Sequence, residues 1–91
     1  PLVVVVSLQG EFDRGRRADE LFAAAAAFDP SEIRLECDTV EFCDSTFVRA
    51  LLHLLYDVCS HGGQVTIVRP SSPVRRLLEV AGVAELFEME R

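Results

Sequence analysis

Between Glu32 and Ser60 the hydrophobic period of the chain switches from two to 3.6. That switch restricts the architecture more than any other feature. Glu32 to Asp38 alternates strictly: Ile33, Leu35 and Cys37 share one face, and Arg34, Glu36 and Asp38 take the other. Such a pattern predicts a strand covered on one side only. From Phe47 to Ser60, Phe47, Val48, Leu51, Leu52, Leu54, Leu55, Val58 and Cys59 fall on one broad helical face, with Arg49, His53, Tyr56 and Asp57 opposite. Gly62-Gly63 then predicts a left-handed C-terminal cap.

The flanking segments repeat this order. Leu2 to Leu8 is β-branched and nearly continuous, which predicts a central strand buried on both faces. Gln9 to Asp13 breaks it, with Gly10 in a turn and Asp13 placed to cap the next helix. Arg14 to Phe28 is helical, with Ala18, Leu21, Phe22, Ala25 and Phe28 on the apolar stripe, and Asp29-Pro30-Ser31 ends it. Gln64 to Val68 predicts a short strand. Ser72 then offers an N-cap with Pro73 at the first helical position; Val74, Leu77, Leu78 and Ala81 follow at helical spacing, and Gly82 stops the helix. A last strand is expected around Leu86-Phe87. The fold class is therefore α/β: a small, mostly parallel or mixed sheet with right-handed crossovers and helices chiefly on one face.

No linker or repeat interrupts this order, so residues 1–91 read as a single domain. A chain this short buries only roughly 60–65% of its unfolded surface, and a 49% apolar share with six Phe suits a packed globule. Fifteen carboxylates against nine basic residues, all Arg, leave a net charge of −6. That balance argues against nucleic acid or an anionic membrane surface as partner. The longest apolar run, Leu2 to Val6, is far too short to span a bilayer, and no secretory signal is visible. A start at Pro1 rather than Met reads as a trimmed N-terminus. Three cysteines at apolar positions, Cys37, Cys43 and Cys59, with no CxxC spacing, read as reduced, buried thiols of a cytoplasmic protein. A redox pair would require the fold to set two sulfurs side by side.

Constellations for catalysis are thin. The chain has no GxGxxG, no GxxxxGK[ST] and no HExxH. His53 falls on the solvent face of the long helix and His61 at its C-terminus, where the dipole favours an imidazolium. Arg14-Gly15-Arg16-Arg17 and Arg75-Arg76 read as helix-surface charge, with a partner contact as the minority reading. No cofactor, metal or catalytic residue is expected, and an enzyme is the weakest of the function classes. The segment that stands out is Val40 to Phe47. Asp44 is placed to cap the long helix, which puts Ser45 and Thr46 at its first two positions. Capping alone accounts for this pattern in most proteins. Yet a hydroxyl there also faces solvent on a stiff scaffold, where the free N–H groups of a helix start tolerate an added phosphate.

Leu8 to Asp13, Phe42-Cys43-Asp44-Ser45-Thr46, Gly62 to Val68, and Ser72 to Leu78 with Gly82 occur in the order and spacing of the STAS family. The chain resembles its bacterial anti-sigma factor antagonists over essentially its whole length. That resemblance implies a phosphoacceptor at Ser45, directly after the motif acid Asp44, and partner contacts at Asp13, Asp44, Ser45, Thr46, Phe47 and Arg49. It implies an anti-sigma factor with serine kinase activity as partner, a phosphatase to reset the switch, and release of a sigma factor by the unphosphorylated form. Two departures stand out. Phe47 occupies the position where the family usually has Gly, and packs inward or stands beside Ser45 as a bulky contact. The family's strand before Leu2 is missing, and an uncovered sheet edge invites pairing with a second copy. A STAS-like scaffold of a larger signalling or transport-related assembly, never phosphorylated, is the alternative.

Overall fold

The computed structural model describes residues 1–13 and 17–91. The elements run β1 (Val3–Phe12), α1 (Arg17–Ala26), β2 (Glu32–Cys43), α2 (Ser45–Ser60), β3 (Gln64–Val68), α3 (Ser72–Ala81), a 3₁₀ turn (Ala84–Leu86) and β4 (Glu88–Glu90). All strand pairs are parallel and the sheet order is β1-β2-β3-β4. Each connection between parallel strands must cross over, and the helices supply the crossovers.

The alternation in β2 determines which face is covered. Ile33, Leu35 and Cys37 point into the core, where they join Leu8, Val65 and Ile67 from the neighbouring strands and Phe22, Leu51, Leu54, Val74 and Leu78 from the helices. On the other face polar groups bond across the strands. Ser7 Oγ donates to Glu36 at 2.5 Å, Thr66 Oγ1 donates to Glu32 at 2.8 Å, and Arg34 pairs with both Glu32 and Glu90. The Thr66 hydroxyl and Gln64 amide, followed by Arg34, hold the Glu32 carboxyl below its usual range against the opposing effect of desolvation.

The run Leu2 to Leu8 is not the central strand its composition predicts. β1 is an edge strand, and Val5 on its outward side is 55% exposed. β3 is the strand buried on both faces: Val65, Thr66, Ile67 and Val68 are all buried. A valine run reports strand preference, whereas burial depends on which strands lie alongside. The strand also continues into the expected break at Gln9 to Asp13, as far as Phe12. Register shifts between Ser7 and Gln9 and between Gly10 and Glu11, with Gly10 at φ +82°, absorb the irregularity within it.

Other expectations shift by a residue or a face. Arg14 to Arg16, the expected helix start and most of the basic cluster, lie outside the described residues; Asp13 is described and lies just past the end of β1. On α1, Ala18, Phe22 and Ala25 are buried, but Leu21 and Phe28 are exposed, Phe28 because it lies past the helix end. On α2, Cys59 is exposed and Ala50 takes a buried place. The cap of α3 is Ser71, not Ser72: the Val74 N–H donates to Ser71 Oγ, which makes Pro73 the second helical residue. The last strand begins at Glu88, after the 3₁₀ turn, and Phe87 just before it is buried.

The C-terminus of α2 closes with the Schellman pattern. Gly62 N–H donates to Cys59 O and Gly63 N–H to Val58 O, with Gly62 at φ +85°. Gly63 is needed for a different reason. A Cβ there would lie 2.8 Å from Pro30 O and 3.1 Å from Ser31 O, and backbone cannot swing aside. Gly63→Ala is therefore expected to destabilise the fold by about 1–3 kcal/mol, read from urea denaturation; a neutral result would mean that the turn at Pro30 yields. At the same helix end His61 Nδ1 sits 2.8 Å from Asp57 O and 3.8 Å from the Asp57 carboxylate. The Asp57 carbonyl raises its pKa most, and the Asp29 and Asp57 carboxylates add to the rise. A raised folded pKa stabilises fully below the unfolded value of about 6.5, and that contribution is lost as pH rises through the folded value. The Tm difference between the native chain and His61→Ala should accordingly be larger at acidic pH than in alkali. A pH-independent difference would contradict it.

Candidate functional site

The start of α2 is built by Asp44. Its backbone is extended, and Oδ1 accepts the Thr46 N–H at 2.9 Å and the Thr46 hydroxyl at 2.5 Å. Asp44 N–H in turn donates to Phe12 O at 3.3 Å, which ties the end of β1 to the helix start. Thr46 is half-buried and committed to its neighbour. Ser45, at the first helical position, is exposed, and its hydroxyl has no hydrogen-bond partner among the described residues. The two adjacent hydroxyls are thus distinct: one closes the cap, the other projects from it. Arg49 is exposed one turn further on, the i+4 neighbour of Ser45.

Beside this helix start, Asp13, Arg17, Thr46 and Phe47 line one shallow depression with Glu11, Phe12 and Ala18. Asp13 is exposed there. Phe47 lies behind the surface. It is 1% exposed, with ring centroids 5.4 Å from Phe12 and 6.2 Å from Phe22. Its expected role as a partner contact does not hold, because the third residue of α2 turns toward the core, and the inward one of the two orientations is the one adopted. Five of the six expected contact residues remain at or near the surface.

Arg17 is a residue that sequence reasoning passed over as helix-surface charge. Its guanidinium donates to Glu11 O and Gln9 O, each at 3.0 Å, and lies 4.4 Å above the Phe12 ring. It satisfies carbonyls at the irregular end of β1 and covers the ring that supports Phe47. The signal was present in Gly10, whose left-handed turn leaves strand carbonyls in need of donors.

Of the other titratable groups, Cys43 directly precedes the Asp44 cap, and Cys37, His53 and His61 lie further along the chain from it. Burial, followed by the charges of Cys43 and Asp38, pushes the Cys37 thiol up to about 12. Burial and the Asp44 carboxylate raise Cys43. Both therefore stay protonated and poorly nucleophilic. All three cysteines are free. His53 is exposed on α2, and His61 sits at the opposite end of that helix from Ser45. Among the described residues no group of three His, Cys, Asp or Glu could hold a metal ion, and no helix is long and apolar enough to cross a membrane.

Four parallel strands in sequence order, with three crossover helices and a capped helix start presenting a hydroxyl, define a small α/β domain of the STAS type. A profile of the family described as "Mlab, STAS domain" matches residues 2–88. The chain belongs to the STAS domain family. Its fold is that of SpoIIAA, an anti-sigma factor antagonist solved in its unphosphorylated form (TM-score 0.83, 20% identity, covering 99% of this chain and 81% of that one). It is likewise similar to an anti-sigma factor antagonist from Mycobacterium paratuberculosis (TM-score 0.85, 23% identity, 97% and 76% covered). The STAS domain of a SulP transporter from Vibrio cholerae superposes at TM-score 0.70 with 25% identity, covering 98% and 73%. No curated protein matches the chain.

Proposed function

We propose that this domain is an anti-sigma factor antagonist that works by docking rather than by catalysis, and that phosphorylation of Ser45 switches it off. In this reading the unphosphorylated form binds an anti-sigma factor with serine kinase activity in the cytoplasm and so frees a sigma factor; a phosphatase restores it. The observation that carries the reading is the exposed Ser45 hydroxyl at the first position of a capped helix, without a hydrogen-bond partner among the described residues, beside Thr46, whose hydroxyl donates to Asp44. A phosphate on that oxygen adds roughly −1.5 to −2 charge and needs no refolding, since the helix start accepts anions. Asp13, Asp44, Ser45, Thr46 and Arg49 would form the contact surface. The likeness to two anti-sigma factor antagonists supports the same reading.

The test is incubation with a panel of purified anti-sigma factors and ATP, followed by mass-spectrometric mapping. The expected product is a single phosphate on Ser45. Phosphate on Thr46 alone would mean that the cap opens in the complex, contrary to the arrangement described. A second reading, an unphosphorylated scaffold in a transport-related assembly, is favoured by the likeness to the SulP STAS domain and by Phe47 in place of the expected Gly. Binding without phosphate transfer across the whole panel would support it.

A further inference from the structure

A phosphate on Ser45 needs hydrogen-bond donors as well as a favourable dipole, and the backbone of α2 has few left to offer. Asp44 holds the next three N–H groups. Its Oδ1 accepts from Thr46 at 2.9 Å, and its carbonyl accepts from Phe47 at 2.9 Å and from Val48 at 3.4 Å. The cap that shapes the helix start thus occupies the groups that would otherwise cradle an anion. Two carboxylates add to the difficulty: Asp44 is next to Ser45 in the chain, and Asp13 is exposed in the adjoining depression that Thr46 also lines. The countercharge has therefore to come from a cationic side chain.

Arg17 borders that depression, but its guanidinium already donates to Glu11 O and Gln9 O and covers the Phe12 ring. Arg49 is placed better. It is exposed, as Ser45 is, and stands four residues later on the same face of α2. Side chains on a helix lean toward its N-terminus, so a long one at position 49 covers the turn that begins at Ser45. An anion four residues before a cation is also the favourable order. The positions three and four residues from Arg49 on α2 are Ser45, Thr46, Leu52 and His53, so no carboxylate of its own helix competes for it. It makes no ion pair among the described residues. Within the proposed contact surface of Asp13, Asp44, Ser45, Thr46 and Arg49 it is the one cation.

We propose that Arg49 is the internal counter-ion of phosphorylated Ser45, its guanidinium reaching back one turn to donate to the phosphoryl oxygens. The inference rests on the reading of Ser45 as the modified residue, and it gives the modification a second effect. The contact surface gains roughly −1.5 to −2 charge and at the same time loses the positive group it held free for a partner's carboxylate. Arg49 is in this sense a positioning residue that acts only on the modified state.

The experiment places phosphoserine at position 45 during translation, so that neither a kinase nor a partner is needed. Phosphorus NMR follows the second ionisation of the phosphate, and nitrogen NMR follows the Arg49 Nε–H group. A nearby cation favours the dianion, so Arg49→Gln is expected to raise the second pKa by about 0.3–1 unit at low salt. Arg49→Lys should restore at least half of that difference, and 1 M salt should shrink it. The Arg49 Nε–H signal should shift between the unmodified and the phosphorylated chain. A second pKa that ignores Arg49→Gln, or an Nε–H signal that ignores the phosphate, would overturn the proposal. So would a lowered Tm for Arg49→Gln without phosphate, which would make Arg49 a support of the fold. The two readings fail separately. Absence of phosphate transfer from every anti-sigma factor would remove the switch and leave these signals intact, whereas unchanged signals would remove the counter-ion and leave the switch.

Discussion

Phe47→Ala is expected to cost about 3–5 kcal/mol of folding stability, measured by urea denaturation with Ser45 left untouched. The ring is fully enclosed and touches Phe12 of β1 and Phe22 of α1, so its removal leaves a hole where a strand and two helices meet. A domain of this size has about 5–14 kcal/mol in all, so the variant should lie near the edge of folding at room temperature. Phe47→Gly should be worse by about 1 kcal/mol, because a glycine in the first turns of a helix adds backbone entropy to the lost packing. Phe47→Leu should keep most of the stability. The residue common at this position in the related family is therefore one that this core does not accept. A loss below about 1 kcal/mol for Phe47→Ala would mean that the ring is not packed as described.

The second large effect concerns docking. Under the proposed function, Ser45→Asp should weaken binding to an anti-sigma factor partner by about 2–4 kcal/mol, roughly 30- to 700-fold in Kd, while Ser45→Ala stays within about threefold. The asymmetry comes from what each change adds. Alanine removes an oxygen with no protein partner among the described residues; aspartate brings a charge that must be desolvated beside Asp44 when a partner closes over it. Loss of folding cannot account for the difference, since a carboxylate in the first turn of α2 favours the helix dipole. Isothermal titration with the same partner measures both variants. Equal affinities would remove the switch and leave a constitutive docking domain.

Part of this was legible in residue order. The cap at Asp44 could be read from an Asp placed just before the apolar period begins, because capping is a local hydrogen bond between a side chain and a backbone group two positions away. The inward face of β2 could be read for a similar reason: alternate residues must point to opposite sides of a strand. The error at Ser71 and Ser72 arose because both offer a hydroxyl, and only the path of the chain after Arg69 selects which one meets the Val74 N–H.

Composition and period alone, then, determined the α/β order, the covered face of β2, the helix start at Ser45 and the exposure expected of its hydroxyl. Tertiary structure alone decided that β1 lies at an edge while β3 is enclosed, that Phe47 turns away from the surface, that Arg17 closes the irregular end of β1, and that Phe42 faces α3 across a groove. The division has a physical cause. Strand and helix preferences and caps depend on neighbours within a turn or two of chain, whereas burial and groove formation depend on which distant segments arrive alongside, and that is settled only when the sheet closes its crossovers.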